Sequence, residues 1–255
     1  MSKTSRTYVL SGSASGIGLA TKQVLESQGH KVIGVDIRNA DVIADLSASG
    51  GRQAMIEQVT DRSNGKIDAI LAVAGVDIAG APTVAVNYYG AVATLEGLRP
   101  LLLKSPAPRA VAVSSITSVH PFDQHLLNLL LDGSEDQALQ RARDANFTYA
   151  TSKRALSRWI RRNAVRSEWA GAGIPLNAIA PGLVKTALLS RLFEDPEKER
   201  AIKGGSPMPL GGPYEPIAAA ELLAWLVSET NGHMTGQTIF IDGGADVILR
   251  GDSTW

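Results

Sequence analysis

Short apolar runs alternate along the chain with longer segments of helical periodicity, and this alternation restricts the possible fold more than any other feature of the sequence. It is typical of βαβ units, in which helices join parallel strands. The apolar runs are rich in Ala, Val, Ile and Leu without clean polar alternation, as expected when both faces of a sheet are covered. The sequence therefore predicts a doubly wound α/β fold, with right-handed crossovers that set helices on both faces of the sheet.

The individual elements follow from the same pattern. Six strands are predicted, at Thr7–Leu10, Lys31–Val35, Ala69–Val73, Ala110–Ser114, Ile174–Ile179 and Thr238–Ile241. Helices are predicted over Ile17–Gln28, Val84–Leu103, Tyr149–Trp169 and Pro216–Val227. No linker, low-complexity run or internal repeat divides the 255 residues, so residues 1–255 are expected to form one domain.

Composition narrows the classes of function. Hydrophobic residues make up 44% and charged residues 20%, which is ordinary for a chain with a buried core. The 25 basic and 25 acidic residues give zero net charge, which argues against a nucleic-acid or anionic-membrane surface. The chain has no cysteine, so disulfides and thiolate metal sites are excluded. His120, His125 and His233 show no metal-ligand spacing, and no metal is expected.

Targeting signals are also missing from the pattern. The first ten residues lack the apolar core of a signal peptide. No apolar run approaches the ~20 residues that a membrane-spanning helix needs. A cytoplasmic protein without a membrane partner is therefore expected.

A glycine-rich turn, Ser11–Gly18, lies between the strand at Thr7–Leu10 and the helix that begins at Ile17. Glycines let the backbone approach a pyrophosphate, and the helix N-terminus offers free N–H groups and a positive dipole end. The spacing is Gly-x-x-x-Gly-x-Gly, and the setting predicts a dinucleotide site. The residues assigned to it here are Gly12, Ser15, Gly16, Ile17 and Gly18.

Asp36 comes directly at the end of the second predicted strand, after Val35 and 18 residues after Gly18. A carboxylate at this point accepts hydrogen bonds from the adenosine ribose hydroxyls and repels a 2′-phosphate, which favours NAD over NADP. Arg38 keeps NADP as a weaker alternative, because a guanidinium accommodates that phosphate. Three further residues complete the predicted adenosine end: Ile37 beside Asp36, and the pair Asp45 and Leu46. As an ordinary strand end, that pair needs no function.

Tyr149 and Lys153 lie four positions apart in a predicted helix, hence on one helix face. A free phenol has a pKa near ~10 and is a poor base at neutral pH. A neighbouring ammonium favours the phenolate and is expected to lower that pKa. The pair therefore indicates a proton-transfer site for interconverting an alcohol and a ketone while hydride passes to or from a nicotinamide.

The order of these motifs resembles that of the short-chain dehydrogenase/reductase family, over nearly the whole chain. The matching elements are the Gly12/Gly16/Gly18 turn, Asp36, Ala74-Gly75, Asn87, Ser114-Ser115, Tyr149 with Lys153, Asn177 with Pro181-Gly182, and Asp242-Gly243-Gly244. The resemblance implies a Rossmann-like sheet of seven parallel strands. It also implies a catalytic group of Asn87, Ser115, Tyr149 and Lys153.

The resemblance assigns a role to each of the remaining site residues. Ser115, with Ser114 as the minor alternative, would hold the substrate oxygen beside Tyr149. Asn87 would hold a water that touches Lys153, and Lys153 would also bind the nicotinamide ribose. Together with Tyr149 and Lys153, the cofactor-binding residues implied at this end are Ala74, Gly75, Pro181, Gly182, Val184 and Thr186.

The chain departs from the family pattern in two places. Ala72-Val73-Ala74-Gly75 stands where the family has Asn-Asn-Ala-Gly, which bears on cofactor affinity more than on chemistry. Ser115 and Tyr149 are 34 positions apart, more than is common, so an insertion is expected near residues 120–146. Its leucines predict a short helix packed on the body or a contact with a partner. Together with the segments Val86–Gly90 and Asp36–Arg38, this insertion resembles the bacterial 3α-hydroxysteroid dehydrogenase/carbonyl reductase branch. A homodimer or a homotetramer is expected.

The segment 186–209, which follows Thr186, is expected to form a mobile lid over the substrate. Its leucines, with Phe193 and Met208, suggest an apolar pocket for a lipophilic cyclic secondary alcohol or ketone, such as a hydroxysteroid or terpenoid alcohol. Core packing explains the same leucines. The alternatives are an NADPH-dependent reductase of 3-oxoacyl thioesters or general carbonyl compounds, and a catalytically silent dinucleotide-binding regulator.

Overall fold

In the computed structural model, which describes residues 5–253, seven strands form one sheet. They are β1 (Thr7–Ser11), β2 (Lys31–Asp36), β3 (Val42–Ile43), β4 (Ala69–Ala72), β5 (Arg109–Val113), β6 (Leu176–Pro181) and β7 (Thr238–Ile241). The strands pair in the order β3-β2-β1-β4-β5-β6-β7, and all of these pairings are parallel. The predicted doubly wound sheet of seven parallel strands is confirmed. The two-residue β3 is the strand that the apolar pattern alone did not reveal.

Helices connect the strands on both faces of the sheet. They are α1 (Gly16–Ser27), α2 (Ser49–Arg62), α3 (Ala81–Val84), α4 (Ala91–Leu102), α5 (Gln124–Asp132), α6 (Glu135–Ala142), α7 (Thr148–Asn163), α8 (Ala187–Leu192), α9 (Pro196–Gly205), α10 (Pro216–Leu226) and α11 (Ala245–Arg250). A π-helical segment, Ala85–Gly90, joins α3 to α4, and short 3-10 helices cover Ile116–Val119 and Ala170–Ala172.

No helix within residues 5–253 combines the length and the apolar character needed to cross a bilayer. Residues 1–4, which belong to the N-terminal segment considered above, lie outside the described residues.

Two apolar layers bury the two faces of the sheet. Val9 belongs to the layer that also contains buried residues of α2, α4, α5 and α7, whereas its neighbours Tyr8 and Leu10 belong to the layer with α1 and α10. Successive side chains of a strand point to opposite faces, so each strand supplies apolar residues to both layers. This double burial explains why the strands read as continuous apolar runs.

Helix α2 was not predicted, and the reason lies in its surroundings. It is largely polar, with Met55 and Val59 as its fully buried apolar residues. Arg52 is also buried, because its guanidinium forms an ion pair with both carboxylate oxygens of Glu135 at 2.7 Å. Glu135 lies 83 positions further along the chain, so no local pattern marks this helix as part of the core.

Helix α7 ends at Asn163, six residues before the predicted end. The chain then turns so that Trp169, which is 1% exposed, packs edge-on against Trp159 with ring centroids 6.3 Å apart. Burying this large ring requires the backbone to leave the helix axis, and tertiary packing overrides the helical pattern.

The segment 120–146 forms two helices rather than one. Leu126, Leu127 and Leu130 of α5 are buried in the core, and α5 packs against α7, which makes the leucines part of the body. Helix α6 was not predicted, although Ser134 and Gln137 form a capping box at its start. Its apolar content is too low to indicate a helix by itself.

The strand order predicts a ligand-binding crevice at the carboxyl ends of β1 and β4. β1 and β4 are adjacent although helices and two strands separate them along the chain, and the direction of strand order reverses between them. In open α/β sheets, ligands bind beyond the carboxyl ends of the strands at such a reversal. Ser11 and Ala72 end these two strands in register, so the glycine turn and the Ala74-Gly75 segment emerge side by side.

Candidate active site

The glycine turn leaves no room for side chains. A Cβ atom on Gly18 would lie 1.9 Å from the carbonyl oxygen of Gly12, and one on Gly12 would lie 2.7 Å from the Cα of Ala74. Gly12 and Gly16 also adopt positive φ angles of 75° and 53°, which favours glycine. Ser15 is the exposed N-cap residue of α1, and its side chain does not cap that helix. The free N–H groups of this first turn, which includes Ile17, therefore border the crevice.

Asp36 is held next to this turn. Its Oδ2 accepts the backbone N–H of Ala14 at 3.0 Å, and its Oδ1 accepts that of Ile37 at 2.7 Å. A carboxylate has about four acceptor sites, so further hydrogen bonds remain available. Ile37 is 63% exposed, and no ion pair of Arg38 occurs within residues 5–253.

Asp45 and Leu46 follow β3 and differ in their surroundings. The Asp45 carboxylate is exposed and accepts the backbone N–H and hydroxyl of Ser47, which hold the pKa of Asp45 below its usual value. Leu46 is 6% exposed and packs against Gly90, where an added Cβ would lie 3.0 Å from the Leu46 Cβ. The side chain of Leu46 therefore serves the core, and only its backbone is left to meet a ligand.

Ser11 takes over part of the support that the missing amides would give. Its Oγ accepts the backbone N–H groups of Val73 and Ala74 at 3.2 and 3.3 Å, which ties the end of β1 to the segment after β4. Gly75 then passes so close to the catalytic residues that a Cβ there would lie 3.2 Å from Lys153 Nζ and 3.3 Å from Asn87 Oδ1.

The loop after β6 closes the crevice from the other side. Pro181 ends that strand, and Gly182 donates its N–H to Ile241 at 2.9 Å, with no space for a Cβ beside Asp242. Val184 pairs with Tyr214 in an isolated parallel bridge.

Thr186 is the N-cap residue of α8. Its side chain packs against Gly16, where an added Cβ would lie 3.1 Å from the Thr186 Cγ2. This approach brings the loop after β6 against the glycine turn.

Ser115, Tyr149 and Lys153 meet at the carboxyl ends of β5 and β6. The Lys153 ammonium is buried, donates to the Val113 carbonyl at 2.9 Å and lies 5.8 Å from the centre of the Tyr149 ring. Ser114 points elsewhere, as strand alternation predicts, because its hydroxyl contacts Ser157 at 2.7 Å.

Burial dominates the ionisation of this group. Tyr149 keeps part of its surface open to solvent, but the protein around its hydroxyl raises its pKa to about 12, and the charge of Asp77 adds to that rise. A hydrogen bond from Ser115 acts in the opposite direction. Burial also lowers the pKa of Lys153 to about 8. The phenol pKa, which was expected to lie below its ordinary value, lies above it instead, because removal from water dominates.

Asp77 was not singled out in the sequence, because an isolated acidic residue in a loop carries no pattern that distinguishes it from a solvated charge. Its nearness to Tyr149 arises only from the fold.

Asn87 lies in the π-helical segment, a feature that is rare and frequent at functional sites. It is fully buried, and its side chain accepts the N–H of Val76 at 2.8 Å and donates to the Val76 carbonyl at 2.9 Å. Asn87 thus fixes the loop that follows Gly75.

The segment expected to act as a lid contains α8 and α9. Leu189 is buried against the body of the protein, whereas Leu188 is 37% exposed and is an apolar side chain of this segment that a ligand could contact. Met208, expected in the apolar pocket, instead packs beneath the loop after β6, where its sulfur lies 3.2 Å from the N–H of Leu183. Within the described residues, no group of three or more His, Asp or Glu side chains is placed to hold a metal ion.

Comparison with known proteins places these features in a family. A family model described as Enoyl-(Acyl carrier protein) reductase matches residues 133–246. The 3-alpha-hydroxysteroid dehydrogenase/carbonyl reductase of Comamonas testosteroni is 39% identical over 256 residues, which cover 95% of this chain and 97% of that protein.

The structure of the 3-alpha-hydroxysteroid dehydrogenase from Pseudomonas sp. B-0831 complexed with NADH superposes with a TM-score of 0.91. It is 38% identical, and the match covers 96% of this chain and 99% of that one. A 3-oxoacyl-[acyl-carrier-protein] reductase of Thermotoga maritima is 27% identical over 92% of this chain and 96% of its own length.

Proposed function

The chain belongs to the short-chain dehydrogenase/reductase family of oxidoreductases, and from that premise we propose that it interconverts a lipophilic cyclic secondary alcohol and its ketone with NAD(H). Hydroxysteroids and terpenoid alcohols are the substrate classes proposed. The observation that carries the proposal is the meeting of Ser115, Tyr149 and Lys153 beside a glycine turn that has no space for side chains. The relative of known structure that binds NADH and the relatives that act on hydroxysteroids support the same assignment.

The residues of the crevice fit a dinucleotide. Gly12 and Gly18 leave space that a Cβ would fill, and the first turn of α1 offers unpaired N–H groups to a pyrophosphate. Asp36 would bind the adenosine ribose, with Ile37, Asp45 and the Leu46 backbone beside the adenine. The nicotinamide end would contact Ala74, Gly75, Pro181, Gly182, Val184, Thr186, Tyr149 and Lys153.

When bound, NAD(H) supplies or accepts the hydride, and the side chains of the chain handle the proton. With a pKa of about 12, Tyr149 carries its proton at neutral pH, which suits it to donate that proton to the oxygen of a ketone undergoing reduction. In the reverse direction, the phenolate would remove the proton of an alcohol. Ser115, which hydrogen-bonds the phenol, would hold the substrate oxygen at the same point.

Lys153 has a second role in this proposal. Its ammonium is fixed by the Val113 carbonyl on the side of the crevice where Gly75 and Asn87 converge. From there it would bind the nicotinamide ribose and stabilise negative charge on Tyr149 as that charge develops. Segment 186–209 would close over the substrate and exclude water.

The rival function is reduction of a 3-oxoacyl thioester with NADPH, and the Thermotoga maritima relative, a 3-oxoacyl-[acyl-carrier-protein] reductase, supports the thioester part of it. Asp36 argues against it, because a carboxylate next to the ribose repels a 2′-phosphate. Relative turnover with NADH and NADPH therefore separates the two functions.

The test is a screen of steroid, terpenoid, aryl and sugar alcohols with NAD and with NADP, together with a 3-oxoacyl thioester with NADH and with NADPH, followed through the absorbance of the reduced nucleotide. We expect turnover of the lipophilic cyclic alcohols with NAD, and about a thousandfold less with Tyr149→Phe. Turnover confined to 3-oxoacyl thioesters with NADPH would reject the proposal. The expected homo-oligomer, a dimer or a tetramer, stays a prediction that light scattering measures.

A further inference from the structure

Asp77 lies in the loop that leaves β4 toward the catalytic residues, and the loop approaches them closely. Gly75, two residues earlier, would bring a Cβ to within 3.2 Å of the Lys153 ammonium. Consecutive Cα atoms are 3.8 Å apart, so Asp77 cannot be far from this point. Its charge acts on the Tyr149 phenol, so its carboxylate lies on the catalytic side of the crevice.

The backbone on both sides of Asp77 is fixed by buried side chains. Val76 exchanges two hydrogen bonds with the amide of Asn87, and Ile78 donates its N–H to the hydroxyl of Thr83 at 2.8 Å. Asn87 and Thr83 are fully buried. Asp77 is thus an exposed residue held by two anchored neighbours, unlike an acidic residue on a freely moving loop.

The carboxylate of Asp77 has no bonding partner among the described residues. Among residues 5–253, no hydrogen bond or ion pair to this side chain occurs, and partial burial raises its pKa without a compensating partner. Its charge reaches the phenol of Tyr149, where it opposes formation of the phenolate. A charge in this position acts on whatever occupies the space beside Tyr149.

We propose that Asp77 is a specificity-determining residue of the substrate site, which excludes alcohols with an anionic group near the reacting carbon and favours those with a cationic group there. This inference rests on the proposed function and adds the charge of the substrate to it. A neutral or amine-bearing cyclic alcohol fits the site, whereas a ring acid or a phosphorylated thioester brings a like charge toward Asp77. A like charge in this position is a means of rejecting a wrong substrate.

The experiment compares three ring alcohols of similar size at neutral pH: cyclohexanol, trans-4-aminocyclohexanol as its ammonium form, and trans-4-hydroxycyclohexanecarboxylate. kcat/KM with NAD is measured for the wild type, for Asp77→Asn and for Asp61→Asn. Asp61 is an exposed residue of α2 away from the crevice, so its variant controls for the change in net charge.

For Asp77→Asn we expect kcat/KM to rise about 5- to 10-fold for the carboxylate and to fall by a similar factor for the ammonium, as expected for a partly screened charge pair. Cyclohexanol, which carries no charge, should change less than either charged substrate and only through easier formation of the Tyr149 phenolate, and Asp61→Asn should alter kcat/KM for none of the three substrates. A merely structural role would change all three substrates by one factor, and that result would overturn the inference.

Binding of the same compounds, followed by ligand-observed NMR, separates this inference from the proposed function. Failure of the wild type to oxidise any alcohol would reject the proposed function alone. In that case, an affinity ratio of ammonium to carboxylate that falls in Asp77→Asn would still support the role of Asp77. An unchanged ratio would overturn it.

Discussion

At the nucleotide end of the crevice, Gly12 and Gly18 leave space that a single Cβ atom would fill, whereas at the catalytic end Tyr149 and Lys153 fill their space with buried ionisable groups. The first end works through backbone N–H groups and the absence of side chains. The second works through side chains whose pKa values move because they are removed from water. Steric changes should therefore affect the first end most, and changes of charge or proton affinity the second.

The largest effect is expected at the catalytic end. Tyr149→Phe removes the hydroxyl that transfers the proton, and loss of a general acid or base typically costs 10²–10⁴-fold in rate. We expect kcat to fall about a thousandfold while the affinity for NADH stays within about twofold, because the ring remains in place. Single-turnover kinetics and calorimetric titration with NADH measure the two quantities. Activity within tenfold of the wild type would reject the role of Tyr149.

A steric change at the nucleotide end should produce the opposite pattern. In Gly18→Ala the new Cβ would lie 1.9 Å from the Gly12 carbonyl oxygen, so the turn must shift. We expect NADH to bind about 100-fold more weakly, a loss of about 2.7 kcal/mol of binding free energy. The secondary-structure content measured by circular dichroism should be unchanged. Gly50→Ala is the control, because nothing lies within 4 Å of a Cβ at that position. Equal affinities of the two variants for NADH would contradict the role of the glycine turn in binding the dinucleotide.

The buried ammonium at the catalytic end should lower the stability of the protein. Lys153 has a pKa of about 8 in the folded protein against 10.5 normally, and each unit corresponds to about 1.4 kcal/mol. We expect Lys153→Met to raise the free energy of unfolding at pH 7 by about 1–3 kcal/mol, less than the full pKa shift implies, because the Val113 carbonyl loses its donor. The same variant should lose turnover.

The lowered pKa of Lys153 also predicts how the free energy of unfolding changes with pH. Between the folded pKa of about 8 and the unfolded value of 10.5, the unfolded chain binds more protons, so the contribution of Lys153 makes the wild type more stable as pH rises through that window. The advantage of Lys153→Met should therefore shrink from pH 7 to pH 10 in urea unfolding. Lys66→Met, at an exposed position, should show no such trend. A constant difference between the wild type and Lys153→Met would contradict the burial of a charged group.

The smallest effect concerns the adenosine end. Asp36→Ala removes the carboxylate that would bind the ribose and repel a 2′-phosphate, and we expect the ratio of kcat/KM for NAD to that for NADP to fall about tenfold. The loss should come mainly from a higher KM for NAD. An unchanged ratio would show that Asp36 serves only to fix Ala14 and Ile37.

The sequence predicted best what short segments determine. The strand, turn and helix from Thr7 to Ser27 are adjacent in the chain, so glycine spacing and apolar pattern were sufficient there. The opposite orientations of Ser114 and Ser115 followed from strand alternation alone. The pairing of Tyr149 with Lys153 followed from helical spacing.

What the sequence did not predict depends on contacts between distant residues. Helix α2 is held through Arg52 by Glu135, and α7 ends early to bury Trp169. The pKa of Tyr149 was expected to fall and is raised instead, because burial is a property of the assembled fold. Asp77 reaches the phenol for the same reason.

In the proposed reaction, the Tyr149 hydroxyl exchanges a proton with the substrate oxygen while the reacting carbon faces the nicotinamide. A crystal structure of the protein with NADH and an unreactive analogue of a cyclic ketone tests it most directly. We expect the Tyr149 oxygen within about 3 Å of the ligand oxygen, with the Ser115 hydroxyl on the same ligand atom and the ligand carbon between phenol and nicotinamide. A phenol turned away from the nicotinamide, with no room for a carbonyl carbon between them, would contradict it.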